Sequence, residues 1–147
     1  MIDPKCFSKD WIMSLRSTYP KADPLLLEKT IYAFELLGLL IKTGIPFSFK
    51  GGTALMLHFP QIFRLSIDID VIGTFKEDDL GREIESSVFD LFKQDIRAES
   101  PIPKRHYEFY YQSGITGKVD HVLLDVLDSK NPYENFIRKR IDLPFLY

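Results

Sequence analysis

The run Ser66-Ile67-Asp68-Ile69-Asp70-Val71-Ile72 alternates apolar and acidic side chains. A period of two belongs to an extended strand, where residues two apart share one face of a sheet. Ile67, Ile69 and Val71 therefore point one way, and Asp68 and Asp70 the other. This single feature demands a sheet with one buried face and sets two like charges side by side on its other face. Their repulsion calls for a compensating partner.

A chain of 147 residues, 45% of them hydrophobic and 14% aromatic, can bury the core of one domain. The formal net charge of −2 excludes a strongly basic nucleic-acid-coating protein and leaves room only for regional contacts with RNA. Cys6 is the single cysteine, which excludes an intramolecular disulfide and a cysteine-based zinc cluster and fits a reducing compartment. The N-terminus has no basic segment leading into an apolar one, and Glu35, Lys42 and glycines interrupt the apolar stretches. The expectation is a cytoplasmic protein with no membrane association.

Residues 8–17 form at most a short amphipathic stretch, and Tyr19-Pro20 and Ala22-Asp23-Pro24 break the chain after it. Asp23 as N-cap and Pro24 at the first helical position open a helix. Leu27, Ile31, Phe34, Leu37, Leu40 and Ile41 carry its apolar face to about Thr43, and Gly44 ends it. Ile45 to Lys50 reads as a strand entering a tight turn at Gly51-Gly52, with Thr53 capping a short helix from Ala54 to about Phe59 that Pro60 closes. Arg64 to Ile72 is the next strand. Lys76-Glu77-Asp78-Asp79 begins a helix whose buried stripe is Leu80, Ile84, Val88 and Leu91.

After a loop at Ser100-Pro101-Ile102-Pro103, Tyr107 to Gln112 and Lys118 to Leu127 read as a hairpin around Ser113-Gly114. The expected order is helix, strand, small helix, strand, helix, strand, strand. Asn131-Pro132 marks a turn, and the apolar stretch from Ile141 to Tyr147 either closes the sheet edge or leads into a longer protein.

Asp125, within His121-Val122-Leu123-Leu124-Asp125-Val126-Leu127, repeats the anomaly of Asp68 and Asp70. Three half-buried carboxylates are best compensated by divalent cations, and oxygen-only ligands favour magnesium or manganese over zinc. Two such ions about 3.5–4 Å apart would bridge the carboxylates and the phosphates of an NTP and stabilise an in-line displacement. Gly51-Gly52-Thr53, between a strand and a helix, offers a triphosphate unobstructed backbone amides. Lys50 suits a point charge beside a phosphate or a solvated strand end. Arg64 suits the triphosphate or a plain ion pair, and Ser66 a phosphate hydrogen bond or a strand filler. Lys104-Arg105-His106 and Arg138-Lys139-Arg140 are candidate RNA-backbone patches or solvated faces. His58, in an apolar run, reads as a packed or surface histidine.

Phe49-Lys50-Gly51-Gly52-Thr53-Ala54-Leu55, followed by Arg64-Leu65-Ser66-Ile67-Asp68-Ile69-Asp70-Val71, resembles the signature of the AbiEii/AbiGii-type toxin nucleotidyltransferases, a branch of the DNA polymerase β-like superfamily. The resemblance extends from about Leu27 through Leu127. It implies an α+β nucleotidyltransferase fold, a mixed central sheet flanked by helices, with a single such domain over residues 1–147. Within it, residues 1–22 would be a helical arm, 23–127 the core and 128–147 a C-terminal segment, where family members continue into a helical domain.

By this resemblance Gly51 and Gly52 begin the nucleotide-binding turn, Asp68 and Asp70 are metal ligands, and Asp125 is the third carboxylate, acting on the attacking hydroxyl. It implies transfer of a nucleoside monophosphate from NTP to a hydroxyl, on tRNA or other RNA, by the toxin of a bacterial toxin–antitoxin or phage-defence system with a cognate antitoxin. Two other readings use the same residues: a non-catalytic module that holds a nucleotide or partner, and a nucleotidyltransferase that modifies a protein.

Overall fold

A computed structural model describes residues 1–59, 65–95, 103–143 and 146. At the N-terminus a 3-10 turn at Pro4–Phe7 leads into helix α1, Lys9–Ser14. The Ser8 hydroxyl caps that helix by accepting from the Trp11 amide. Helix α2 spans Pro24–Lys42, and its first free amide, that of Leu25, donates to the Asp23 carboxylate at 2.8 Å. Gly44, at φ 72°, ends it in the left-handed conformation that suits glycine.

The apolar residues of α2 do more than fill a stripe. Leu27 through Leu40 are buried almost throughout, because the helix packs on the sheet, on α1 and on the helix α4, Glu77–Ile84. Ile41, expected on the buried face, is 56% exposed in the last turn, where those neighbours no longer reach.

Among the described residues five strands form one mixed sheet: β1 Phe47–Lys50, β2 Asp68–Gly73, β3 Leu91–Asp95, β4 Lys104–Gln112 and β5 Val119–Leu127, in the order β1-β2-β5-β4-β3. β2 and β5 run parallel, and the other neighbours are antiparallel. The alternation predicted for β2 holds: Ile69 and Val71 are buried, and Asp68 and Asp70 are half-buried on the opposite face. Val122, Leu124 and Val126 of β5 and Tyr107, Phe109 and Tyr111 of β4 complete the buried face. Tyr32 of α2 stacks on Tyr111 with ring centroids 3.6 Å apart. The remaining face carries the carboxylates.

Three expectations need correction. Val88 and Leu91 do not extend the stripe of α4, being 38% and 44% exposed. The helix stops at Ile84, and Leu91 opens β3, an edge strand that pairs with β4 from Leu91↔Tyr110 to Asp95↔His106. A four-residue apolar spacing coincided there with a turn. Strand β2 begins at Asp68, later than expected, with Leu65 to Ile67 outside the ladder. The C-terminal stretch adds no strand among the described residues; Leu143 and Leu146 are buried in the core instead. The ends assigned to Pro60 and Arg64, and most of the loop at residues 100–103, lie outside the described residues.

The six-residue turn of the β4–β5 hairpin is tied to α2 by a buried carboxylate. Glu28 is fully buried and accepts from the Ser113 hydroxyl at 2.7 Å and from the amides of Gly114 and Ile115 at 2.7 and 3.3 Å. Three charge-assisted bonds offset the cost of burying it.

Candidate active site

Phe47 to Lys50 leave the sheet directly into a six-residue helix, α3, Gly51–Met56. Here the expected arrangement differs: the helix starts at Gly51, three residues early, and Lys50 occupies the N-cap position without a side-chain bond. Gly51 adopts φ 80°, which carries the chain from strand to helix within one residue. Thr53 is not a cap. Its hydroxyl is buried and lies 2.5 Å from the Asp68 carbonyl oxygen and 2.8 Å from Ser66 Oγ. A carbonyl can only accept, so Thr53 gives its single proton to Asp68 and the Ser66 hydroxyl supplies the other. Thr53 and Ser66 thereby clamp α3 onto β2, just before the acidic pair.

Gly51 lies over Asp70. A β-carbon at Gly51 would stand 2.3 Å from Asp70 Oδ2, and one at Gly52 would stand 3.2 Å from Ser66 Oγ. A side chain at Gly51 would displace the Asp70 carboxylate, and with glycine there a bare chain segment borders it.

The strand registers then place ionisable residues in one row. Lys50 of β1 is opposite Asp70 of β2, Asp70 is opposite Asp125 of β5, Asp125 is opposite His106 of β4, and the Asp95 position of β3 follows. Neighbouring strands are about 4.8 Å apart, so Asp70 and Asp125 are adjacent. Asp68, opposite Leu123, is a diagonal neighbour of Asp125 on the same face.

Electrostatics reflects this crowding. Burial raises the Asp68 pKa above the usual carboxylate value, Asp125 adds repulsion, and Lys29 opposes them. Burial also raises Asp70, with Lys50 lowering it and Asp125 and Asp68 pushing it further up. Loss of water around the two carboxylates is the larger cause of both shifts, and Lys104 also opposes the shift at Asp70.

Magnesium or manganese fits the chemistry of this donor set: three carboxylates, Asp68, Asp70 and Asp125, on one face of the sheet. Among the described residues no three acidic, histidine or cysteine side chains stand close enough to enclose an ion as they are. Asp125 is drawn instead to His106, with Nδ1 and Oδ1 2.5 Å apart.

Of the residues singled out in the sequence, Asp68, Asp70, Asp125, Lys50, Gly51 and Gly52 come together at this end of the sheet, and Thr53 and Ser66 brace it. Arg64 lies outside the described residues. The Lys104-Arg105-His106 patch is largely spent within the fold: Arg105 pairs with Asp128 at 3.1 Å and donates to the Phe75 carbonyl, and His106 binds Asp125. Arg138, Lys139, Arg140 and His58 are exposed. His106 was missed as a site residue. With hairpin register Gln112↔Val119, counting back from Asp125 reaches it, but the turn alone does not set that register.

No curated protein matches the chain. The solved structures include the crystal structure of a "putative nucleotidyltransferase from H. pylori", 21% identical with a TM-score of 0.53. It aligns with 75% of this chain, which spans about half (51%) of its length, and at that identity the likeness shows the fold. The family model described as nucleotidyl transferase AbiEii toxin, type IV toxin–antitoxin system, matches residues 40–141, from the end of α2 past β5 and so across the whole row of carboxylates. This chain belongs to the AbiEii nucleotidyl transferase toxin family.

Proposed function

We propose that the protein transfers a nucleoside monophosphate from an NTP to a hydroxyl of RNA, with tRNA as the acceptor class, at Asp68, Asp70 and Asp125. The observation that carries this reading is the register that sets Asp70 beside Asp125 with Asp68 on the same face, under a glycine where a side chain would displace the Asp70 carboxylate. In the reaction the acceptor oxygen bonds to the α-phosphorus as the bond from that phosphorus to the bridging β-phosphate oxygen breaks. Pyrophosphate leaves with the electron pair, and Asp125 takes the hydroxyl proton. Asp68, Asp70 and Asp125 would hold magnesium or manganese, which would supply charge to neutralise the phosphates.

Gly51 and Gly52 let the triphosphate approach the backbone, and Lys50, opposite Asp70, is a point charge at the rim. Arg64 and Ser66 are assigned to the same nucleotide, Ser66 by turning its hydroxyl proton from Thr53 to a phosphate oxygen. Positioning and electrostatic stabilisation account for most of the catalysis, since phosphoryl transfer asks little covalent chemistry of a protein. We assign the site to one domain over residues 1–147, place the protein in the cytoplasm with its substrates, and take a cognate antitoxin as its protein partner. No helix among the described residues is long and apolar enough to cross a membrane.

The test is incubation with α-labelled NTPs, magnesium and total tRNA. Label on RNA, lost in Asp68→Ala, supports the proposal. Label on a protein instead, or metal-dependent NTP binding in a calorimeter without any transfer, overturns the RNA acceptor or the catalysis respectively.

A further inference from the structure

We propose that His106 is a positioning residue that aims the Asp125 carboxylate, an inference that rests on the role of Asp125 in the function proposed above. Two lone-pair atoms do not approach to 2.5 Å without a proton between them. With Asp125 ionised, Nδ1 carries that proton and donates it to Oδ1. One carboxylate oxygen is thus held, and the other is left for a cation or the acceptor hydroxyl.

Both residues have a paired strand on each side, Asp125 lying between β2 and β4 and His106 between β5 and β3. Their side chains are 32% and 36% exposed for His106 and Asp125, so the pair is fixed by the sheet yet open to a ligand. A carboxylate that a neighbour fixes loses less freedom when it engages a ligand, and outer partners of this kind are worth about 10–100-fold in metal affinity or activity. A part-exposed polar pair, by contrast, contributes little to stability. This difference separates a positioning role from a structural one.

The variants are His106→Leu, which has no donor, and His106→Asn, whose amide keeps an N–H near the Nδ1 position. Expected for His106→Leu is a kcat lower by about 10–100-fold and a Mn2+ affinity, read by water-proton relaxation, lower by about tenfold. The KM for NTP should stay within about threefold and the melting temperature within about 3 °C. His106→Asn should recover most of both losses. Nitrogen-15 spectra should show the neutral ring protonated on Nδ1 in the wild type, and this preference should vanish in Asp125→Ala. Wild-type kcat and Mn2+ affinity in His106→Leu, equal losses in Leu and Asn variants, or an Nε2-protonated ring overturns the proposal. Wild-type protein that transfers no label overturns the function proposed above, and the Mn2+ and tautomer measurements then still decide the case of His106.

Discussion

Gly51 and Asp70 are in contact across the junction of strand and helix: no β-carbon fits at Gly51 without displacing the Asp70 carboxylate, to which it would come within 2.3 Å. The strand that brings the acid and the turn that exposes backbone therefore define one site.

Substitution of Gly51 by alanine combines two penalties, a left-handed backbone worth about 1–2 kcal/mol and displacement of Asp70. Gly117 provides the control, since it has φ 70° with nothing within 4 Å of a β-carbon. Gly117→Ala should lose about 1–2 kcal/mol in urea denaturation, and Gly51→Ala more than that. Only Gly51→Ala should also abolish nucleotide transfer.

The acidic pair should cost the cation-free protein stability. Burial is the first cause of the raised pKa of both Asp68 and Asp70. A carboxylate whose folded pKa exceeds its unfolded value binds protons more readily when folded, so its cost is fully present at neutral pH. The cost disappears as pH falls through the raised folded value towards the ordinary carboxylate value of 3.8. In chelator at neutral pH, Asp68→Asn/Asp70→Asn should melt about 1–2 °C higher than wild type, and the advantage should vanish in acid. Magnesium should raise the melting temperature of the wild type and not of the variant.

Glu28 holds the hairpin that carries Asp125, accepting from Ser113, Gly114 and Ile115. Glu28→Ala removes the acceptor of the buried Ser113 hydroxyl and of the Gly114 amide and should cost about 3 kcal/mol. Glu28→Gln, which keeps one acceptor for the two amides, should cost about 1 kcal/mol. Chemical denaturation measures both.

Much of this arrangement is legible in residue order. Asp23-Pro24 marks the start of α2 and Gly44 its end, and the Ile/Asp alternation assigns the two faces of β2. The hairpin and its acid follow from the same periodicity. What escaped reading depends on pairing across the sheet. β3 has five residues whose strand identity comes from the β4 edge beside them, and the preceding apolar spacing imitates a helix. Thr53 looks like a cap because it stands near a helix start, whereas its buried hydroxyl is claimed by a carbonyl fifteen positions away. His106 becomes part of the site only once the hairpin register is known.

Joint action of Asp70 and Asp125, adjacent on parallel strands, on one reaction is the heart of the proposed function. Its most direct test is the initial rate of transfer from α-labelled NTP to RNA in wild type, Asp70→Asn, Asp125→Asn and the double variant. Each single variant should lose at least about a thousandfold, with the double variant no slower than either, because residues acting as a unit are non-additive. Transfer that persists near the wild-type rate in Asp125→Asn would contradict the account.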